Sequence, residues 1–66
     1  MHYEIGRFIK LRHGTTLSCF GTRHFTKHAA TVDAQKTANR ENKIFRVIQV
    51  EGNKRTVLED EVRPNV

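Results

Sequence analysis

His13, Cys19, His24 and His28 place one thiol and three imidazoles within sixteen residues, and these are the side chains that zinc takes as ligands. His24 and His28 are four apart, a spacing that on one helix would turn both rings the same way. The group lacks Cys-x-x-Cys and His-Glu-x-x-His, and Thr26 reads as an N-cap that leaves His24 outside the helix. These histidines are therefore read as surface or loop residues, and no metal is expected; a zinc-stabilised mini-domain ranks third among the functions considered. Cys19 with His24 or His28 would supply a nucleophile and a base, but no third group orients the base. Cys19 reads instead as a small, half-buried strand residue. In Glu59-Asp60-Glu61 the middle carboxylate points away from its neighbours in a strand, so a solvated edge accounts for the run better than a carboxylate pair. Gly14-Thr15-Thr16 and Gly21-Thr22 lack a nucleotide-cradling framework. With no nucleophile, base and orienting group to assemble, the expectation is a protein that is not an enzyme and needs no cofactor.

The cations are the stronger signal. The net charge is +5, and residues 1–28 hold Arg7, Lys10, Arg12, Arg23 and Lys27 against the single carboxylate of Glu4. These five, with Arg46 further along, are the candidate binding residues. A basic chain attracts phosphate backbones or acidic protein surfaces. If the first two strands pair, the first five cations are expected to gather near one end of the sheet. Phe8 or Phe20 beside them would offer a stacking platform for single-stranded nucleic acid. The aromatic consensus of the RNA-recognition motif is absent, and at least one of the two phenylalanines is expected to fill the core instead.

The elements that must position these residues follow one another without a linker. Tyr3–Leu11 alternates, with Tyr3, Ile5, Ile9 and Leu11 on one side, which predicts a strand. His13–Thr16 supplies turn residues, and Leu17–Thr22 predicts a second strand paired back on the first, with Gly21 marking a bulge or an end. Thr26 caps a helix from Lys27 to about Glu41, Phe25 is placed to staple onto Ala30, and Ala30, Ala34, Thr37 and Ala38 share one face. Lys43–Val62 is the clearest local signal, two β-branched-rich runs around Gly52-Asn53 that predict an antiparallel hairpin. A regular register sets Ile48 against Val57, Val47 against Leu58 and Arg46 against Glu59. Both faces of this hairpin are partly apolar, so it is expected inside a sheet with one face under the helix and the other open. Pro64 ends the last strand. The reading is an α+β domain, order β-β-α-β-β, with one helix packed on a small antiparallel or mixed sheet and residues 1–66 forming a single small domain.

A chain of 66 residues buries only about 60% of the surface its unfolded form exposes, so its interior is thin. One cysteine excludes an internal disulfide and suits a reducing compartment. No apolar run approaches bilayer length, and the first residues lack the plan of a secretory signal, so a soluble, cytoplasmic protein with no membrane partner is expected.

Phe25-Thr26-Lys27, the alanine-spaced helix, Phe45-Arg46-Val47 in a strand and Arg63-Pro64 near the end resemble the plan of several tiny phage-encoded proteins, including the T7-type inhibitor of host RNA polymerase. This resemblance implies a single-helix, small-sheet domain that docks on a host enzyme and has no active site; the compartment would then be the host cytoplasm. The chain departs from that inhibitor in its second hairpin strand, Arg55–Val62, and in its basic N-terminal half, and no binding residue carries over. The expected function is a non-enzymatic adaptor or inhibitor that docks on a protein partner, one of nucleic-acid metabolism or defence. Apolar residues left bare on the sheet, Ile48 with Val57 or Phe45 with Leu58, would also suit a homo-oligomer. The alternative is direct DNA or RNA binding through the basic residues.

Overall fold

A computed structural model describes residues 1–65. The chain order is β1 (His2–Leu11), β2 (Gly14–His24), α1 (Lys27–Glu41), β3 (Phe45–Glu51) and β4 (Lys54–Val62). In space the strands lie β2-β1-β3-β4, every neighbouring pair antiparallel, so the fold is α+β with one helix on a four-stranded antiparallel sheet. The helix carries the chain from an outer strand across β1 to β3. Among the described residues no helix is long and apolar enough to cross a membrane.

The helix begins where the sequence places its cap. Thr26 is extended, and its Oγ1 accepts a hydrogen bond from the Ala29 N–H at 3.1 Å. It ends at Asn42, which adopts a left-handed conformation with φ 55° and donates its N–H to the Ala38 carbonyl. Ala30, Ala34 and Ala38 have no exposed surface, and their methyl groups seat the helix directly on the sheet. Ile5, Phe45, Val47 and Val62 complete the core. Phe20 meets Phe45 edge to face with ring centroids 5.5 Å apart, so Phe20 is the phenylalanine that enters the interior. Phe25 does not staple the helix: it is 79% exposed, while the short Ala30 side chain is turned under the helix and leaves nothing for the ring to reach.

The hairpins correct the expected boundaries. Leu11 pairs with Gly14, so the first turn is Arg12-His13 and β2 starts well before Leu17. Gly14 makes this tight turn workable with φ 139°, which a side chain would resist. Gly52 opens the second turn with φ 58°, and Ile48 stands opposite Val57 as the regular register requires. Beyond that point β4 spends three residues, Leu58–Asp60, where β3 spends only Val47, and Arg46 comes opposite Glu61 rather than Glu59. The physical reason lies at the next pair. An unbroken register would set Asp60 against the buried Phe45; the bulge sets Val62 there, 7% exposed, and leaves the carboxylate in water. The β1–β2 ladder has a matching irregularity, Gly21–Arg23 opposite Glu4, where glycine marks the bulge.

The face away from the helix is not the bare apolar surface that the alternation suggests. Ile48 belongs to it yet is completely buried. Gly6, on the adjacent strand, has no side chain, and the Ile48 Cδ1 fills that space. Phe45 is buried on the other face, and Val57 and Leu58 are half-buried, so neither expected pair is left uncovered.

Candidate binding surface

β1 outruns its central partner. It pairs with β3 only from His2 to Gly6, whereas its ladder with β2 continues to Leu11. The reason is the route of the chain: Asn42–Ile44 descend from the helix cap, and β3 begins only at Phe45. Residues 7–18 therefore form a two-stranded arm beyond β3. Phe8 is 47% exposed and Leu11 is 54% exposed on it, with Lys10 between them and Arg12 at its tip. The strand alternation grouped Leu11 with the apolar face, but that face is covered only as far as the helix extends.

The structure separates the predicted cations into two groups. Arg7, Lys10 and Arg12 lie on the arm, with Arg7 half-buried opposite Ser18. Arg46 joins them from β3: its guanidinium carbon stands 5.5 Å from the centre of the Phe8 ring. Arg46 is held there from behind, donating to the Glu59 carbonyl at 3.2 Å and lying 3.7 Å from the Glu61 carboxylate. Arg23 and Lys27 do not join the patch. β2 runs antiparallel to β1 and carries Arg23 toward the Tyr3–His24 pair, seven rungs from the Lys10–Thr15 pair, or about 23 Å at strand spacing. Lys27, the first helical residue, is 3.9 Å from the exposed Asp60 carboxylate. The five-cation patch expected from sequence is thus divided by strand direction. Among the described residues Arg7, Lys10, Arg12 and Arg23 make no ion pair, and from Ile5 to Val32 the chain contains no carboxylate.

Below the arm, Glu4 anchors the open face. Its carboxylate is 6% exposed and receives hydrogen bonds from His2 Nε2 at 2.9 Å and Arg55 Nη2 at 3.3 Å. The hydrogen bond from His2 lowers its pKa below the usual 4.5, burial opposes this, and Arg55 adds to the lowering through its own bond and its charge. Glu4, His2 and Arg55 are not evident as a group in the sequence, since Arg55 reaches Glu4 across β3 from β4. The only local sign is a carboxylate in an otherwise alternating strand.

The residues that suggested chemistry are dispersed. His13 is on the arm's turn, and His28 is exposed in the first helical turn. His24 Nε2 is bonded to Asp33 Oδ2 at 2.8 Å, tying the end of β2 to the helix. Cys19 is exposed rather than half-buried, because its partner in the ladder is Gly6, which has no side chain to cover it. Among the described residues no three His, Cys, Asp or Glu side chains converge. A shallow groove lies between β2 and the helix, lined by Thr22, His24, Ala29, Val32, Asp33 and Lys36. No known protein family, curated protein or solved structure matches this chain.

Proposed function

We propose that this chain is a non-enzymatic binding protein that docks on an acidic partner protein through the β1–β2 arm, in the manner of an adaptor or inhibitor. One observation carries the reading: the arm presents Phe8 and Leu11, both about half exposed, interleaved with Lys10 and Arg12, which have no carboxylate partners among the described residues. Phe8 beside Lys10 and Arg12 on one face of the arm, with Leu11 on the other, suits a protein interface that grips the arm, where burial supplies affinity and charge supplies steering. A partner in nucleic-acid metabolism or defence fits, since proteins that mimic or shadow nucleic acid carry acidic surfaces. The lone thiol of Cys19 suits a reducing compartment, so the proposed site of action is the cytoplasm, that of the host if a phage encodes the chain. The test is affinity capture from the native cell with nuclease present. The wild-type chain is expected to retain one protein in near-stoichiometric amount, and the Lys10→Glu/Arg12→Glu chain to lose it. A wild-type chain that retains no protein refutes the reading.

A second reading, direct binding of single-stranded DNA or RNA, is favoured by the Phe8–Arg46 stack beside Lys10. Arg46 already covers one face of the ring and is already paired with Glu61, which leaves less of both stacking surface and charge for a nucleic acid. Binding of this kind should weaken steeply with salt and should fall when Arg7, Lys10 and Arg12 are replaced by alanine. No binding in a low-salt polarisation titration would eliminate it.

A further inference from the structure

We infer that the free edge of β1 from Arg7 to Leu11 is a strand-addition site, and that its occupant is an acidic segment of a partner protein in extended conformation. The inference rests on the docking reading above and names how the partner is held. On one side these five residues are paired with β2, from Arg7 with Ser18 to Leu11 with Gly14. On the other side the ladder with β3 has already stopped at Gly6. Among the described residues no side chain or turn hydrogen-bonds this stretch of backbone. Alternate N–H and C=O groups therefore face outward and can pair with an incoming strand.

The other edges of the sheet differ. The outer edge of β2 is regular from Gly14 to Phe20 but carries no charged side chain there and bulges at Gly21–Arg23, and β4 kinks at Leu58–Asp60 and carries three consecutive carboxylates. The Arg7–Leu11 edge has an unbroken register and no carboxylate. Its flanking charges decide the occupant. A second copy adding to this edge would bring two sets of cations, Arg7, Lys10 and Arg12 from each arm, onto one ladder, and like charges brought together in this way disfavour pairing. Glutamate or aspartate side chains on the incoming strand would instead meet Lys10 and Arg12, while apolar side chains at alternate positions would lie on the other face, beside Ile9 and Leu11.

The probe is a fluorescent, end-capped (Val-Glu)4 peptide, compared with (Val-Lys)4, with (Val-Glu)4 N-methylated at its four central residues, and with an eight-nucleotide oligothymidine. Anisotropy gives affinity, and amide hydrogen exchange on the wild-type protein gives location without any variant that could fail to fold. Expected are at least tenfold weaker binding of the lysine peptide, a loss of about tenfold or more on N-methylation, and slowed exchange confined to residues 7–11. The Lys10→Glu/Arg12→Glu protein should reverse the preference between the two charged peptides. Equal binding of the methylated peptide would overturn strand addition, as would slowed exchange elsewhere, or oligothymidine binding tighter than (Val-Glu)4. If cellular capture still yields a protein while the peptide fails, the edge is wrong and the docking reading stands; loss of both removes both.

Discussion

Replacing Gly6 with alanine should destabilise the protein, against the ordinary sign of such a change. A Gly→Ala substitution at a compatible backbone position commonly stabilises by about 0.4–1 kcal/mol, because the unfolded chain loses freedom. At Gly6 the new Cβ would stand 2.6 Å from the Ser18 carbonyl oxygen and 2.7 Å from the Ile48 Cδ1. Ordinary contact begins near 3.4 Å, so about 0.8 Å must be recovered at the oxygen and about 0.7 Å at the methyl group. Ile48 can turn its terminal methyl away, at the cost of leaving the position in which it is fully buried. The Ser18 oxygen cannot move without straining the β1–β2 ladder, which pairs Arg7 with Ser18 and Gly6 with Cys19. Overpacking of this kind costs about 1–3 kcal/mol, and a domain of this size has roughly 3–10 kcal/mol to lose. A net loss of about 2 kcal/mol would lower the melting temperature by about 8–16 °C. Urea denaturation followed by circular dichroism measures the change, and Gly21→Ala serves as the control. A Cβ at Gly21 meets nothing within 4 Å, and its φ lies outside the glycine-favouring range, so that substitution should be neutral or mildly stabilising. Adding Ile48→Val, which removes the Cδ1, should restore part but not all of the loss, since the clash with the oxygen persists. A Gly6→Ala protein as stable as the wild type would show that Gly6 is not the space Ile48 depends on.

Three further outcomes follow from the same contacts. Because Glu4 has a folded pKa below 4.5, its stabilisation is complete above that value and is lost as pH falls through the depressed one; Glu4→Gln should flatten this acid limb of the stability curve and cost about 1 kcal/mol at neutral pH, half-exposed Arg55 being a solvent-screened partner. At the helix ends, Thr26→Ala should cost about 1 kcal/mol by removing the acceptor for Ala29 N–H, whereas Asn42→Gly should be neutral or stabilising and Asn42→Ala should cost about 1 kcal/mol, all read from thermal melts. Phe45→Ala deletes the largest fully buried side chain and the partner of Phe20, a loss of about 3–5 kcal/mol that should leave the chain largely unfolded by near-ultraviolet circular dichroism and hydrogen exchange.

What the sequence made legible was local. Thr26 as cap, the alanine face of the helix, the Gly52-Asn53 turn and the glycine at the β2 bulge all depend on a few adjacent residues, and all are found where expected. Legibility failed wherever a choice was settled across the sheet. The shift that brings Arg46 opposite Glu61 depends on keeping Asp60 away from Phe45, which no periodicity within β4 could reveal. The division of Arg23 from Lys10 follows from the strand direction and the early turn at Arg12-His13. The burial of Ile48 depends on a glycine forty-two positions earlier in the chain. For the candidate surface, the residue types were visible in Phe8, Lys10, Arg12 and Arg46, while their assembly required the strand order.

The exposure of that surface can be traced to the helix that covers the rest. Alanine methyl groups let α1 sit close to the sheet, but they have no reach, so on the helix side only strand residues directly beneath it are enclosed. A fifteen-residue helix extends about 22 Å. Asn42 stops it in a left-handed cap, and the chain must then descend through Asn42–Ile44 to start β3. That descent ends β3 at the level of Gly6 while β1 and β2 continue to Leu11 and Gly14. The exposed side chain of Leu11 and the unpaired backbone edge are therefore consequences of one event, the point at which the helix stops, whereas Phe8, Lys10 and Arg12 point to the opposite face, which the helix never covers. In so small a chain the interior could have been extended by one more helical turn carrying a leucine over Leu11. The sequence instead ends the helix with Asn42 and continues the strand pair with cations, leaving a structured edge where added cover would have hidden it.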